Sequence, residues 1–150
     1  MAKFVYRMQN ILDIKRKLET QAEMEYALAN QKYMQEQQIL QGYVLRRNEY
    51  EKRLKSLMEG TIQVQEVTHA KADLNTMRTI VRRQMMEVHK AEREMEEARR
   101  VLNEVIQERK VHEKLREKAF EEFKSELAAQ ESKEIDELVS YTYNSGDTEE

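Results

Sequence analysis

Glu66-Val67-Thr68-His69 carries the Glu-x-x-His spacing with which helical bundles hold carboxylate-bridged di-iron centres. Such a centre needs two of these motifs and two further Glu on neighbouring helices. The chain has one, next to a predicted turn, and His69, His89 and His112 lie far apart along it. There is no Cys, which removes disulfides, thiol catalysis and Cys-based zinc sites together. Glu and Asp are abundant, but they sit at i, i+4 spacing from Lys or Arg, as in Glu92-Arg93-Glu94-Met95-Glu96-Glu97, which is how a solvated helix face is written. No Gly-rich phosphate loop and no nucleophile elbow is present. The expectation is therefore no catalytic residue, no metal and no cofactor.

The residue types that remain are those that anchor protein interfaces, Tyr and Arg. Tyr26, Tyr33, Tyr43 and Tyr50 recur at spacings of 7 and 10, and Arg46-Arg47 has counterparts in Arg78 and Arg82-Arg83. Packing in a core with each hydroxyl reaching solvent explains the Tyr; Tyr43 and Tyr50 can also contribute to a binding surface beside the Arg doublets.

Composition says what must position these groups. Charged residues make up 37% of the chain's 150 residues, well above the roughly 25% of ordinary domains, and there is no Pro and no Trp. Proline costs about 3 kcal/mol inside a helix, so its absence suits long helices. Hydrophobic residues make up 39%, many of them Ala and Met, enough for one stripe per helix but not for a compact globule. No apolar run approaches the roughly 20 residues of a membrane span, and the first residues lack the apolar centre of a signal peptide. Residues 1–60 hold 11 basic and 8 acidic groups, residues 61–126 hold 14 of each, and residues 127–150 hold one Lys and 7 acids. Nowhere is there the basic excess that a nucleic acid demands, so none is expected as a partner.

Apolar residues spaced 3 and 4 apart mark coiled-coil seams. The first seam reads Phe4, Met8, Ile11, Lys15, Leu18, Ala22, Tyr26, Ala29, Tyr33, Glu36, Leu40, Tyr43, Arg47, Tyr50, Leu54, Leu57, with a stutter at Leu18–Ala22–Tyr26. The second reads Val67, Ala70, Leu74, Met77, Val81, Gln84, Val88, Ala91, Met95, Ala98, Leu102, Val105, then weakens through Arg109, His112 and Arg116 before Ala119 and Phe123. Gly60 lies between them and suits the left-handed position that ends a helix. The expected fold is all-α: a long two-helix antiparallel coiled-coil hairpin in one domain, with helix 1 at about 4–58, a turn at about 59–64, a longer helix 2 at about 65–140 and a frayed acidic tail at 141–150. Paired positions should sum to 124, which sets Ala22 against Leu102, Tyr33 against Ala91 and Leu54 against Ala70, large against small. Gly42 inside helix 1 is a candidate for a kink or a close contact.

The open end presents more apolar surface than one partner helix can bury. Phe4, Val5, Met8, Ile11, Leu12, Ile14 and Leu18 face a stretch, Gln107 to Lys118, whose only apolar residues besides the seam are Val111 and Leu115. Phe120, Phe123 and Leu127 add to it, with Ile135, Leu138 and Val139 on the overhang. Such stripes mark a protein interface or self-association. Lys15-Arg16-Lys17 beside them also fits a membrane-surface helix, as the weaker reading.

At its ends the chain resembles a known family. Phe4-Val5-Tyr6-Arg7-Met8-Gln9-Asn10-Ile11-Leu12-Asp13-Ile14-Lys15, Asn48-Glu49-Tyr50-Glu51 and Lys133-Glu134-Ile135-Asp136-Glu137-Leu138 look like the corresponding stretches of the flagellar export protein family FliJ. The resemblance implies a non-catalytic stalk of the bacterial flagellar type III export apparatus, cytoplasmic and peripheral at the cell membrane without inserting into it. It implies three partners: a hexameric export ATPase of the FliI kind, an export gate protein of the FlhA kind, and export chaperones. It places the open end in the ATPase ring, through Phe4, Met8, Ile11, Leu12, Ile14, Leu18, Phe120, Phe123 and Leu127. It places gate contacts toward the turn, at Leu40, Tyr43, Arg47, Tyr50, Met77, Ile80 and Gln84. A stalk is expected to be a monomer when free. The equivalent stalk of a virulence secretion system and a generic self-associating coiled coil are the alternatives, separated by gene neighbourhood and by sedimentation.

Overall fold

A computed structural model describes residues 2–146 of the chain. It is all-α, as expected. Helix α1 spans Gln9–Leu57, 49 residues, and helix α2 spans Val64–Gly146, 83 residues; the two run antiparallel and the C-terminal one is longer. Contacts divide the chain into two compact units. The distal unit is Thr20–Glu104 and the terminal unit is Met1–Glu19 with Val105–Glu150.

In the distal unit α1 ends at Leu57 with Lys55 in its last turn, where a cation complements the helix dipole. Gly60 takes φ 74°, which reverses the chain without a Cβ penalty, so the turn falls where Gly60 puts it. Val64 opens α2 with Glu66 in its first turn, the dipole-favoured position for an acid. The buried side chains are Ala22 on α1 and Ala70, Leu74, Met77, Val81, Ala91 and Met95 on α2, every one a predicted seam position. Bonds between the helices test the register. Arg99 donates to the Tyr26 hydroxyl at 3.1 Å, a pair summing to 125, and Lys32 lies 3.6 Å from Glu94, a pair summing to 126. The Gln84 amide donates to both the backbone and side-chain oxygens of Glu36, a pair summing to 120. Long side chains reach a few positions to either side, and the scatter brackets the predicted 124. Gly42 continues the helix with open space where a Cβ would stand, so no close contact explains it.

The terminal unit departs from the predicted seam. The α1 residues turned toward α2 are Gln9, Leu12, Lys15 and Glu19, and Leu12, at 0% exposure, is the one buried side chain. From Leu12 through Lys15, Glu19 and Ala22 to Tyr26 the steps are 3, 4, 3 and 4, so the heptad runs on and the stutter at Leu18–Ala22–Tyr26 does not occur. Met8, Ile11 and Leu18, predicted seam residues, are 41%, 38% and 40% exposed. The reason is on the other helix. The α2 seam here is Arg109, His112 and Arg116, as predicted; the two arginines must be matched, while His112 Nδ1 is enclosed without a hydrogen-bond partner among the described residues. Glu19 chelates Arg109, Arg116 donates from Nε to Gln9 at 3.0 Å, and Lys15 reaches Glu108 at 2.8 Å. Arg109 also holds Glu113 at 2.9 Å, and Arg16 lies 3.5 Å from the same Glu113.

Two helix bounds differ from expectation by more than a residue. Helix α1 starts at Gln9 and not at 4; residues before it bring Phe4 onto Phe120 and Phe123, with ring centroids 5.0 and 5.4 Å away. The Arg116 guanidinium lies 5.6 Å from the centre of the Phe4 ring. Helix α2 continues through Gly146, so residues 141–146 of the predicted frayed tail are helical; no Pro or interior Gly interrupts them. Residues 147–150 of that tail lie outside the described residues.

Candidate interaction surfaces

An α-helix turns about 100° per residue, so the residue before a seam position stands to one side of the seam. In an antiparallel pair that side is the same for both helices. Met8, Ile11, Ile14 and Leu18 each precede a seam position of α1; Val111 and Leu115 precede His112 and Arg116 on α2. All six therefore share one face of the terminal unit, between 38% and 56% exposed. The polar seam and the apolar face are one fact seen from two sides: the helices are joined by ions and amides, and the aliphatic side chains point outward.

Of the predicted open-end residues, the structure brings Met8, Ile11, Ile14 and Leu18 onto this face. Phe4, Phe120 and Phe123 form a separate aromatic cluster, in which Lys124 lies 4.8 Å from the centre of the Phe120 ring. Leu127 is half-buried just beyond it. Leu12 has no accessible surface and is the apolar pin of the polar seam. Val111 and Leu115, predicted to be the apolar lining opposite α1, instead extend the exposed face.

The residues predicted toward the turn are mostly seam residues of the distal unit. Met77 is buried, and Gln84 is held by Glu36, so neither offers a free side chain to a partner. Leu40, Tyr43, Arg47, Tyr50 and Ile80 are half-buried and expose an edge. Arg47 Nε is enclosed without a hydrogen-bond partner among the described residues. Arg78, counted with the basic zone, lies 3.8 Å from Glu51. The Tyr26 hydroxyl accepts from Arg99 and that of Tyr33 accepts from Gln37 at 2.8 Å, both in exposed hydrogen bonds.

Sequence reasoning missed a groove of about 470 Å³ beside the turn, floored by Leu54, Met58 and Leu74 and rimmed by Lys52, Lys55 and Arg78. Its signal was present: Met58 is an apolar residue one step past the last seam position of α1, with no seam place to fill.

The electrostatics are those of helix surfaces. Hydrogen bonding and charge from Lys15 hold the Glu108 carboxyl below its usual range, and Arg100 does the same for Glu97. Glu19 in turn raises Arg109. Among the described residues no three His, Asp or Glu side chains gather as a metal site, and the lone Glu66 and His69 are both exposed near the turn. No described helix is long and apolar enough to cross a membrane.

Two long helices joined by a seam, with apolar faces left exposed on the outside, define a two-helix coiled-coil protein. A family model described as flagellar FliJ protein matches residues 4–147. The chain belongs to that family. Among solved structures, a protein described as a YscO homolog, CT670, from Chlamydia trachomatis matches with a TM-score of 0.64 at 19% identity, over 99% of this chain and 100% of that one. At that identity the likeness is one of fold. A search of curated proteins finds no match.

Proposed function

We propose that this protein is the non-catalytic stalk of a flagellar type III export apparatus and that the apolar face of its terminal unit seats it in the ring of a hexameric export ATPase. The observation that carries this reading is the exposure of Met8, Ile11, Ile14, Leu18, Val111 and Leu115 on one side of a helix pair that holds together without them. A shaft needs this arrangement. Its own helices must stay paired while its apolar residues remain free for the bore, and a seam of ion pairs with one buried leucine meets both demands. Family membership favours the flagellar system over a virulence system.

The half-buried edge of the distal unit, Leu40, Tyr43, Arg47, Tyr50 and Ile80, is the surface proposed for the export gate protein. The unpartnered Nε of Arg47 supports it, because an enclosed donor without an acceptor is costly and a partner's carbonyl or carboxylate would relieve it. Export chaperones complete the set of partners, at the cytoplasmic face of the membrane.

The test is ATP hydrolysis by the candidate hexameric ATPase with and without the full chain. Addition should raise turnover. The double variant Ile11→Asp, Leu18→Asp should lose the stimulation and keep its helical circular dichroism, because both side chains lie outside the seam. Stimulation by this variant equal to that of the parent would sink the assignment of the face.

A further inference from the structure

Residues 128–146 of α2 have no residue of α1 against them, and every side chain there is exposed. Nineteen residues of helix without a partner are marginal in water. One side of this stretch is apolar: Ile135, Leu138, Val139, Thr142 and Tyr143 recur at 3- and 4-residue steps, and the last four line a shallow hollow of about 390 Å³. Its flanks are acidic, with Glu131, Glu134, Asp136 and Glu137 against the single Lys133.

The same unit carries the complement. The face made by Val111, Leu115, Ile14 and Leu18 is bordered on α2 by Lys110, Lys114 and Lys118, a row at i, i+4 and i+8. All three lysines are exposed, and none is ion-paired among the described residues. An acidic amphipathic helix and a basic-edged apolar face on one molecule cannot meet within it, because the tail runs past the start of α1.

We propose that a second copy of this chain covers the tail. Two molecules associate about a twofold axis beside Ser125, α2 antiparallel to α2, each tail lying on the other's apolar face. One register satisfies both chemistries. With positions across the interface summing to about 249, Ile135 meets Leu115 and Val139 meets Val111 of the other copy, while Glu131 meets Lys118 and Glu134 meets Lys114. The acidic edge formed by Glu131 and Glu134 then falls on the same side as the lysine row. The opposite edge, with Val139 and Tyr143, lies over Ile14 and Leu18 of the other copy's α1. Because each copy gives a tail and receives one, the interface is isologous and closes at two.

Size sets the strength. A tail about 28 Å long and roughly 10 Å wide, counted on both sides of both contacts, buries on the order of 1,100 Å². That is the low edge of specific interfaces, which bury about 1,200–2,000 Å². The dimer is therefore a concentration-dependent one, dissociating in the micromolar range, and not an obligate one. It replaces the free monomer expected of a stalk. The inference does not rest on the ATPase reading; if both hold, self-association hides the ring-binding face until the ring competes for it.

Sedimentation equilibrium of the full chain tests this. A reversible monomer–dimer equilibrium is expected, weakened about tenfold between 0.1 and 0.5 M NaCl as the lysine–carboxylate edge is screened. A tail variant, Leu138→Asp with Val139→Asp, and a face variant, Ile14→Asp with Val111→Asp, should each be monomeric and still helical by circular dichroism. Mixed in equal amounts, they should recover a weaker heterodimer through the one intact tail–face contact. A chain monomeric up to about 200 µM, far above the micromolar range the area implies, would overturn the proposal. So would a dimer that survives in both variants, or a mixture that stays monomeric. None of these readouts involves the ATPase, so a failure here leaves the stalk reading standing, and the reverse.

Discussion

The distal and terminal units are built from the same two helices and solve the same pairing problem with opposite chemistry. In the distal unit the seam is Ala70, Leu74, Met77, Val81, Ala91 and Met95 against tyrosines and leucines, with Glu36, Arg47 and Gln84 as half-buried polar exceptions. In the terminal unit the seam is Gln9, Lys15 and Glu19 against Arg109, His112 and Arg116, with Leu12 alone buried, and the aliphatic residues lie outside. Apolar burial supplies non-directional stability in proportion to area. Ion pairs and amides supply register and little net stability, because each charge gives up water to make its bond. The distal unit thus reads as the part that keeps the protein folded, and the terminal unit as the part that keeps its apolar surface available.

If that contrast is right, substitutions should divide along it. The largest effect is expected from Val81→Asp in the distal unit. Val81 is 2% exposed, and a carboxylate there would be cut off from water, so stability should fall by about 4 kcal/mol or more. Urea unfolding followed by circular dichroism would show it. A loss under about 1 kcal/mol would mean that the distal seam is not where stability resides.

A smaller effect is expected from Leu12→Ala in the terminal unit. The side chain is fully buried but stands alone among polar neighbours that water can reach after it is removed, which points to about 2–3 kcal/mol, at the low end of leucine truncations. Hydrogen exchange should place the loss in Gln9–Glu19 and leave the protection of Tyr26–Tyr50 unchanged.

Acid should sharpen the contrast with the gentlest perturbation. Lys15 holds the Glu108 carboxyl below its ordinary value of 4.5, so the bond contributes fully above that value and is lost as pH falls through the lowered one. Protection in the terminal unit should therefore hold from pH 7 to 5 and decline below 4.5, ahead of the distal unit. Glu97 is lowered as well, by Arg100, but both lie on α2, so its protonation should not part the helices. Simultaneous loss of protection in both units would break the comparison.

Much of this was legible in the residues. The absence of Pro, the high charge and the 3–4 spacing define two long helices; Gly60 marks the turn; and large-against-small pairing sets the distal register, because a heptad with one apolar residue in each place admits one alignment. The weakening of the second seam through Arg109, His112 and Arg116 was also readable. What this meant for the first helix was not. At its N-terminus two stripes one residue apart compete, Met8–Ile11–Leu18 and Gln9–Leu12–Lys15–Glu19, and hydrophobicity alone chooses the first.

Only the tertiary structure decides for the second. The choice depends on what stands opposite: two arginines cannot be buried against isoleucine and leucine without losing their hydrogen bonds, whereas Glu19 and Gln9 satisfy Arg109 and Arg116, and Lys15 adds a bond to Glu108. The sequence by itself determined the class, two long antiparallel helices joined by a heptad seam, because composition and period depend on each residue alone. Which face is seam and which is surface depends on pairs of residues about 90 positions apart, and that only their meeting in space could settle.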